Sequence, residues 1–105
     1  MKLEIYRSKW DWRGSVEYTI LLNDVCMGRT QMERLTTPIE DTDKAVINYI
    51  LHNLANNMEE ALTRVINGKK EHYSNLICVY SSSNDKVLKE LDIKLKEKAI
   101  EGDFK

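Results

Sequence analysis

A chain of 105 residues, 42% of them hydrophobic, has the material for one modest core and not for two. Its 16 basic residues against 17 acidic ones leave a net charge of -1, which excludes an overall field that gathers nucleic acid or acidic lipid; only local anion binding is left. No stretch approaches the roughly 18 uncharged apolar residues of a membrane span, and the first residues carry no apolar leader segment. With only Cys26 and Cys78 as thiols, the composition predicts a cytoplasmic protein in a reducing compartment, with no membrane contact.

Leu3-Glu4-Ile5-Tyr6-Arg7 alternates apolar and mixed residues, and Val16, Tyr18, Ile20 and Leu22 form a period-two face broken by Glu17 and Thr19. Both segments read as strands. Between them, residues 8–15 are rich in turn formers and are expected to be a loop, while Asn23-Asp24 followed by Gly28 suggests a second reversal into a third strand over about residues 27–35. The opening is therefore an antiparallel meander.

Thr37-Pro38-Ile39-Glu40 has the form of a helix start: a Thr cap, Pro at the first helical position, and Glu placed to complete a capping box. From there Ile47, Ile50, Leu51, Leu54, Met58, Leu62, Val65 and Ile66 recur at three- and four-residue steps as far as Gly68. A single helix of that extent is about 45 Å long, more than a small domain needs, so a bend near Asn56-Asn57 or a protruding end is expected. The run Leu76-Ile77-Cys78-Val79-Tyr80 lacks polar alternation, as a central strand buried on both faces does, and it makes Cys78 a small buried thiol. Val87, Leu88, Leu91, Leu95 and Ala99 return to helical spacing, with Ser83 or Asn84 as cap and Gly102 as terminator. The fold class is thus α/β (α+β), one domain over residues 1–105 in the order β-β-β-α-β-α, with a mixed sheet, an antiparallel meander and one long helix.

This order resembles the first two-thirds of the ribonuclease H-like fold over roughly residues 3–100. Leu3-Glu4-Ile5-Tyr6 is similar to that family's first strand, Thr36-Thr37 to its entry into the first helix, and Ile77-Cys78-Val79-Tyr80-Ser81-Ser82-Ser83 to its fourth strand and the turn after it. The resemblance implies clustered carboxylates holding two divalent metals, which generate hydroxide and stabilise the leaving oxygen. Where the family places an Asp at the end of its first strand, this chain has Arg7-Ser8; where it places one after its fourth, it has Ser81-Ser82-Ser83. Glu40, Asp41 and Asp43 can supply one ligand between them, and the family's fifth strand and last helix lie beyond the end of the chain. The resemblance therefore implies an inactive member, with no metal and no cofactor.

Four of the five arginines and both tryptophans fall in the first third. Arg7, Lys9, Trp10, Trp12, Arg13, Arg29 and Arg34 make a candidate partner-binding set, since guanidinium groups and indole rings give contact area at low entropic cost. The same residues can stack on bases and meet phosphates, but the near-zero net charge favours a protein partner; the plainest alternative is one Trp capping the core and the other incidental. Ser81, Ser82 and Ser83, between a strand and a helix, form a weaker candidate for anion binding, although simple capping accounts for them better. His52 and His72 stand in no cluster of metal-ligand spacing. The acidic group Glu40-Asp41-Asp43 suits the positive end of a helix.

The sequence thus predicts a non-catalytic protein-binding protein, in style resembling the inhibitors and accessory factors that phages and mobile elements use against restriction or CRISPR systems. The alternatives are a nucleic-acid-binding or residual nuclease module of the ribonuclease H-like type, and a protein that self-associates as a homodimer through its long helix.

Overall fold

The computed structural model describes residues 1–12, 14–33, 38–74, 76–80 and 85–100, and for residues 9–12, 78–80, 99 and 100 the backbone alone. The elements run β1 (Leu3–Trp12), β2 (Ser15–Leu22), β3 (Val25–Glu33), α1 (Ile39–Asn56), α2 (Met58–Asn67), β4 (Leu76–Tyr80) and α3 (Lys86–Ile100). Among the described residues the sheet is four-stranded, in the order β3-β2-β1-β4. Every pairing in it is antiparallel, so the expected mixed sheet is corrected: β4 runs against β1, with Ile5 opposite Tyr80 and Ser8 opposite Leu76.

The meander forms as the alternation predicts, but β1 is longer than expected. Residues 8–12, read as loop from their turn-forming side chains, are strand: the register with β2 shifts between Arg7 and Asp11, and the ladder resumes with Asp11 opposite Val16 and Trp12 opposite Ser15. The strand continues because β2 offers backbone partners all the way to its first residue, and Gly14, at φ +76, supplies the tight reversal. At the other end Asn23 and Asp24 both hold positive φ, the geometry of a hairpin turn whose twist matches its strands. Asn23 also exchanges backbone and side-chain hydrogen bonds with Lys2 at 2.8 Å.

The long helix is two helices. At Asn57 the backbone leaves the helical region (φ -128, ψ 41), and its side-chain amide donates to the Asn53 carbonyl that its own backbone N–H also uses. A side chain competing for a main-chain acceptor in this way bends helices. The α1 start differs from expectation as well. Pro38 is the residue before the first helical one and makes no side-chain cap; its carbonyl accepts from Asp41 N–H at 2.9 Å, and Thr37 lies outside the described residues. At α3 the cap is Asp85, whose Oδ1 accepts from the Val87 and Leu88 amides at 2.8 and 3.3 Å; Ser83, Asn84 and Gly102 lie outside the described residues.

All three helices pack on one face of the sheet. Leu3, Ile5, Val16, Tyr18 and Leu22 meet Val46, Ile50 and Leu54 of α1, Ala61 and Leu62 of α2, and Leu88 and Leu91 of α3 in a single buried cluster. At the end of α2, Gly68 lies so close to Val25 that any side chain would collide with it, and an added Cβ would also stand 2.6 Å from the Arg64 carbonyl oxygen. The segment after it pairs Lys70 with Val25 and sends the Glu71 amide to the Asp24 carbonyl at 2.8 Å, so residues 69–73 are tied to the β2–β3 turn.

β4 is an edge strand rather than the central one its apolar run suggested. Ile77 is 53% exposed, and Cys78, read as a buried thiol, lies outside the described side chains. Among the described residues no helix is long and apolar enough to cross a membrane.

Candidate functional site

The candidate partner-binding residues do not form one surface. Arg7 stands opposite Tyr18 on the helical face and is drawn inward: its Nη1 donates to Asp43 Oδ2 at 2.6 Å, and its side chain is 14% exposed. The Tyr18 hydroxyl donates to the other oxygen, Oδ1, at 2.6 Å. Asp43, read from sequence as a dipole-favoured surface charge or a metal ligand, is thus the buried acceptor that joins α1 to β1 and β2. Glu40 and Asp41 remain exposed on the first turn.

Arg29 lies on the opposite face of the sheet, next in register to Thr19, with its guanidinium 6.0 Å from the centre of the Tyr73 ring. That face also carries an interlocked polar group. Glu4, nearly buried, accepts from the Tyr6 hydroxyl and from Lys2 Nζ, and Tyr73 donates to Glu71 at 2.5 Å. They border a cavity of about 320 Å³. The Tyr73 phenol is pushed up to about 12, first by hydrogen bonding with Cys26 and then with Glu71, so it keeps its proton near neutrality and is unsuited to act as a base. The Lys2 ammonium is raised, chiefly by its hydrogen bond to Glu4. On α3, Asp92 is lowered, first by its hydrogen bond from the Met1 ammonium at 3.0 Å. The charges of Lys2 and Asp92 are each held by a neighbour. Among the described residues no group of three or more His, Cys, Asp or Glu side chains is placed to hold a metal ion.

Lys9, Trp10 and Trp12 lie in the far half of β1, and the backbone there has a distinctive position. On one side β2 rejoins it at Asp11 and Trp12, after the register shift that follows Arg7. On the other, β4 begins at Leu76, opposite Ser8, so residues 9–12 run past it and no described strand covers that edge. Arg13, Arg34, Ser81, Ser82 and Ser83, the remaining sequence candidates, lie outside the described residues.

Sequence reasoning missed a second surface. The bend at Asn57 opens a groove of about 370 Å³ between the helices and the sheet, floored by Ile20, Met27, Ile50 and Leu54 and rimmed by Tyr49, Glu60 and Arg64. Arg64 Nη1 donates to the Met27 carbonyl at 2.8 Å. Tyr49 is 52% exposed. Its one sequence signal was a large aromatic standing off the stripe of Val46, Ile50 and Leu54.

No family model matches the chain, and neither the curated proteins nor the solved structures show a significant similarity to it.

Proposed function

We propose that this chain is a binding protein without catalytic chemistry of its own, and that it engages a partner protein by offering the edge of β1 that no described strand covers to an extended segment of that partner. The observation that carries this reading is the four-residue run of β1 past the start of β4. An uncovered strand edge presents unpaired N–H and C=O groups, which is how sheets take up a foreign strand, while alternate side chains supply selectivity. This edge holds Lys9, Trp10 and Trp12, the residue types that dominate contact energy at protein interfaces being the tryptophans. Blocking a restriction or CRISPR complex is one specific form of such a role. The nuclease alternative gains no support from Asp43, the most buried of its three carboxylates, because Arg7 and Tyr18 already occupy both of its oxygens.

The test is affinity capture from the native host with the wild type and with Trp10→Ala/Trp12→Ala. A protein retained by the first and lost by the second, with an unchanged melting temperature, is the expected result. Retention by both variants removes the β1 edge as the docking surface. Magnesium-dependent cutting of an RNA–DNA hybrid that disappears in Glu40→Gln/Asp41→Asn replaces the binding reading with the nuclease one, and steeply salt-dependent oligonucleotide binding weakened by Trp10→Ala replaces it with a nucleic-acid module.

A further inference from the structure

We infer that the groove at the α1–α2 bend is a self-association face, and that its occupant is a second copy of this chain related by a two-fold axis. The groove has an apolar floor, Ile20, Met27, Ile50 and Leu54, and beside it an aromatic ring left half in water, Tyr49. An exposed ring next to an apolar hollow is the composition of an interface core rather than of a solvated helix.

The rim selects the occupant. Glu60 and Arg64 are one turn apart on α2, the spacing at which such residues ordinarily pair with each other. Here they do not: Arg64 turns to the Met27 carbonyl and spends one N–H there, and Glu60 has no ion-pair partner among the described residues. A guanidinium carries five N–H donors, so Arg64 keeps donors for a second acceptor. The surface therefore holds one acidic and one basic group about 6 Å apart along a helix axis. Two such helices crossing antiparallel about a two-fold place Glu60 of each copy against Arg64 of the other. An isologous contact requires a patch that is its own complement, and this pair meets that requirement without a partner of different charge. The contact also covers both Tyr49 rings. It uses a surface separate from the β1 edge and does not depend on the function proposed for that edge.

Sedimentation velocity over about 10 µM to 1 mM, the range of a contact of modest size, reads the outcome. The wild type is expected to pass from monomer to dimer with concentration. Glu60→Arg and Arg64→Glu are each expected to be monomeric throughout, because each sets like charges against one another in a homodimer. An equimolar mixture of these two variants is expected to recover the dimer, since both cross-pairs are then of opposite sign. Tyr49→Ser, at an exposed position that leaves the fold intact, is expected to weaken the wild-type dimer at least tenfold, which keeps the test open if Arg64→Glu disturbs α2. A wild type that stays monomeric overturns the inference and leaves the groove to a ligand or a foreign helix. A dimer that survives either charge reversal, or a mixture that fails to associate, overturns it as well.

Discussion

Asp43→Ala is expected to destabilise the protein by about 3–5 kcal/mol, the range found when one member of a buried ion pair is removed. The carboxylate accepts from Arg7 and from Tyr18, and both members of the ion pair are largely shielded, with side chains 14% and 10% exposed. Without Asp43 the guanidinium stays in the same poorly solvated place and loses its counter-charge. Urea denaturation should show the loss as a lower midpoint at unchanged slope, and the melting temperature should fall by at least ~10 °C. Asp41→Ala, two positions earlier in the first turn of α1 and exposed, should move stability by less than about 0.5 kcal/mol. Arg7→Met/Asp43→Leu should be less destabilised than Asp43→Ala, because no charge is then buried alone. A loss below about 1 kcal/mol for Asp43→Ala would mean that the pair is solvated and α1 is held to the sheet by its apolar stripe alone.

Leu62→Ala carries the second large effect, about 3–5 kcal/mol, from lost apolar burial and the cavity left behind. Leu62 has no exposed surface. It sits on a helix of ten residues, too short to be stable by itself, so packing onto the sheet and the neighbouring helices is what keeps α2 formed. Ile93→Ala on α3, where the side chain is 58% exposed, should change stability by less than about 0.5 kcal/mol. Equal losses in the two variants would contradict this assignment of the core.

These two sites also show what the sequence could and could not disclose. Leu62 was legible because its place in the helical series is a local pattern, as was the bend at Asn57, where two asparagines interrupt an overlong helix. Val16, Tyr18, Ile20 and Leu22 announced β2 in the same local way. Arg7 was not legible as an interior residue. Its burial depends on a carboxylate 36 positions away, and nothing adjacent to it differs from a surface arginine. The apolar run of β4 misled for a related reason. Hydrophobic content reports that a strand meets a core but not how many strands lie beside it, and the antiparallel pairing with β1 joins Ile5 to Tyr80, far apart in sequence. Residues 8–12 show composition being overruled by pairing: a segment of turn formers remained strand, with an irregularity between Arg7 and Asp11, because Ser8 meets Leu76 of β4 and Asp11 and Trp12 meet β2. For the candidate sites, residue type drew the first third together, but that Arg7 and Arg29 take opposite faces became clear only from strand alternation and pairing.

The position of β1 between β2 and β4 gives the molecule an order of assembly. β2 can close onto β1 through the hairpin at Gly14 as soon as the chain reaches Leu22, whereas β4 must return from Leu76 to Tyr80 to complete the other side. Local closure is fast, and pairing across most of the chain bears a larger entropic cost. Pulsed hydrogen exchange during refolding should therefore protect the amides shared by β1 and β2 before those shared by β1 and β4; simultaneous protection would indicate a single concerted step. A growing chain on the ribosome thus carries an unsealed strand until Tyr80 has emerged, and that interval is when it is most open to misjoining with another nascent copy.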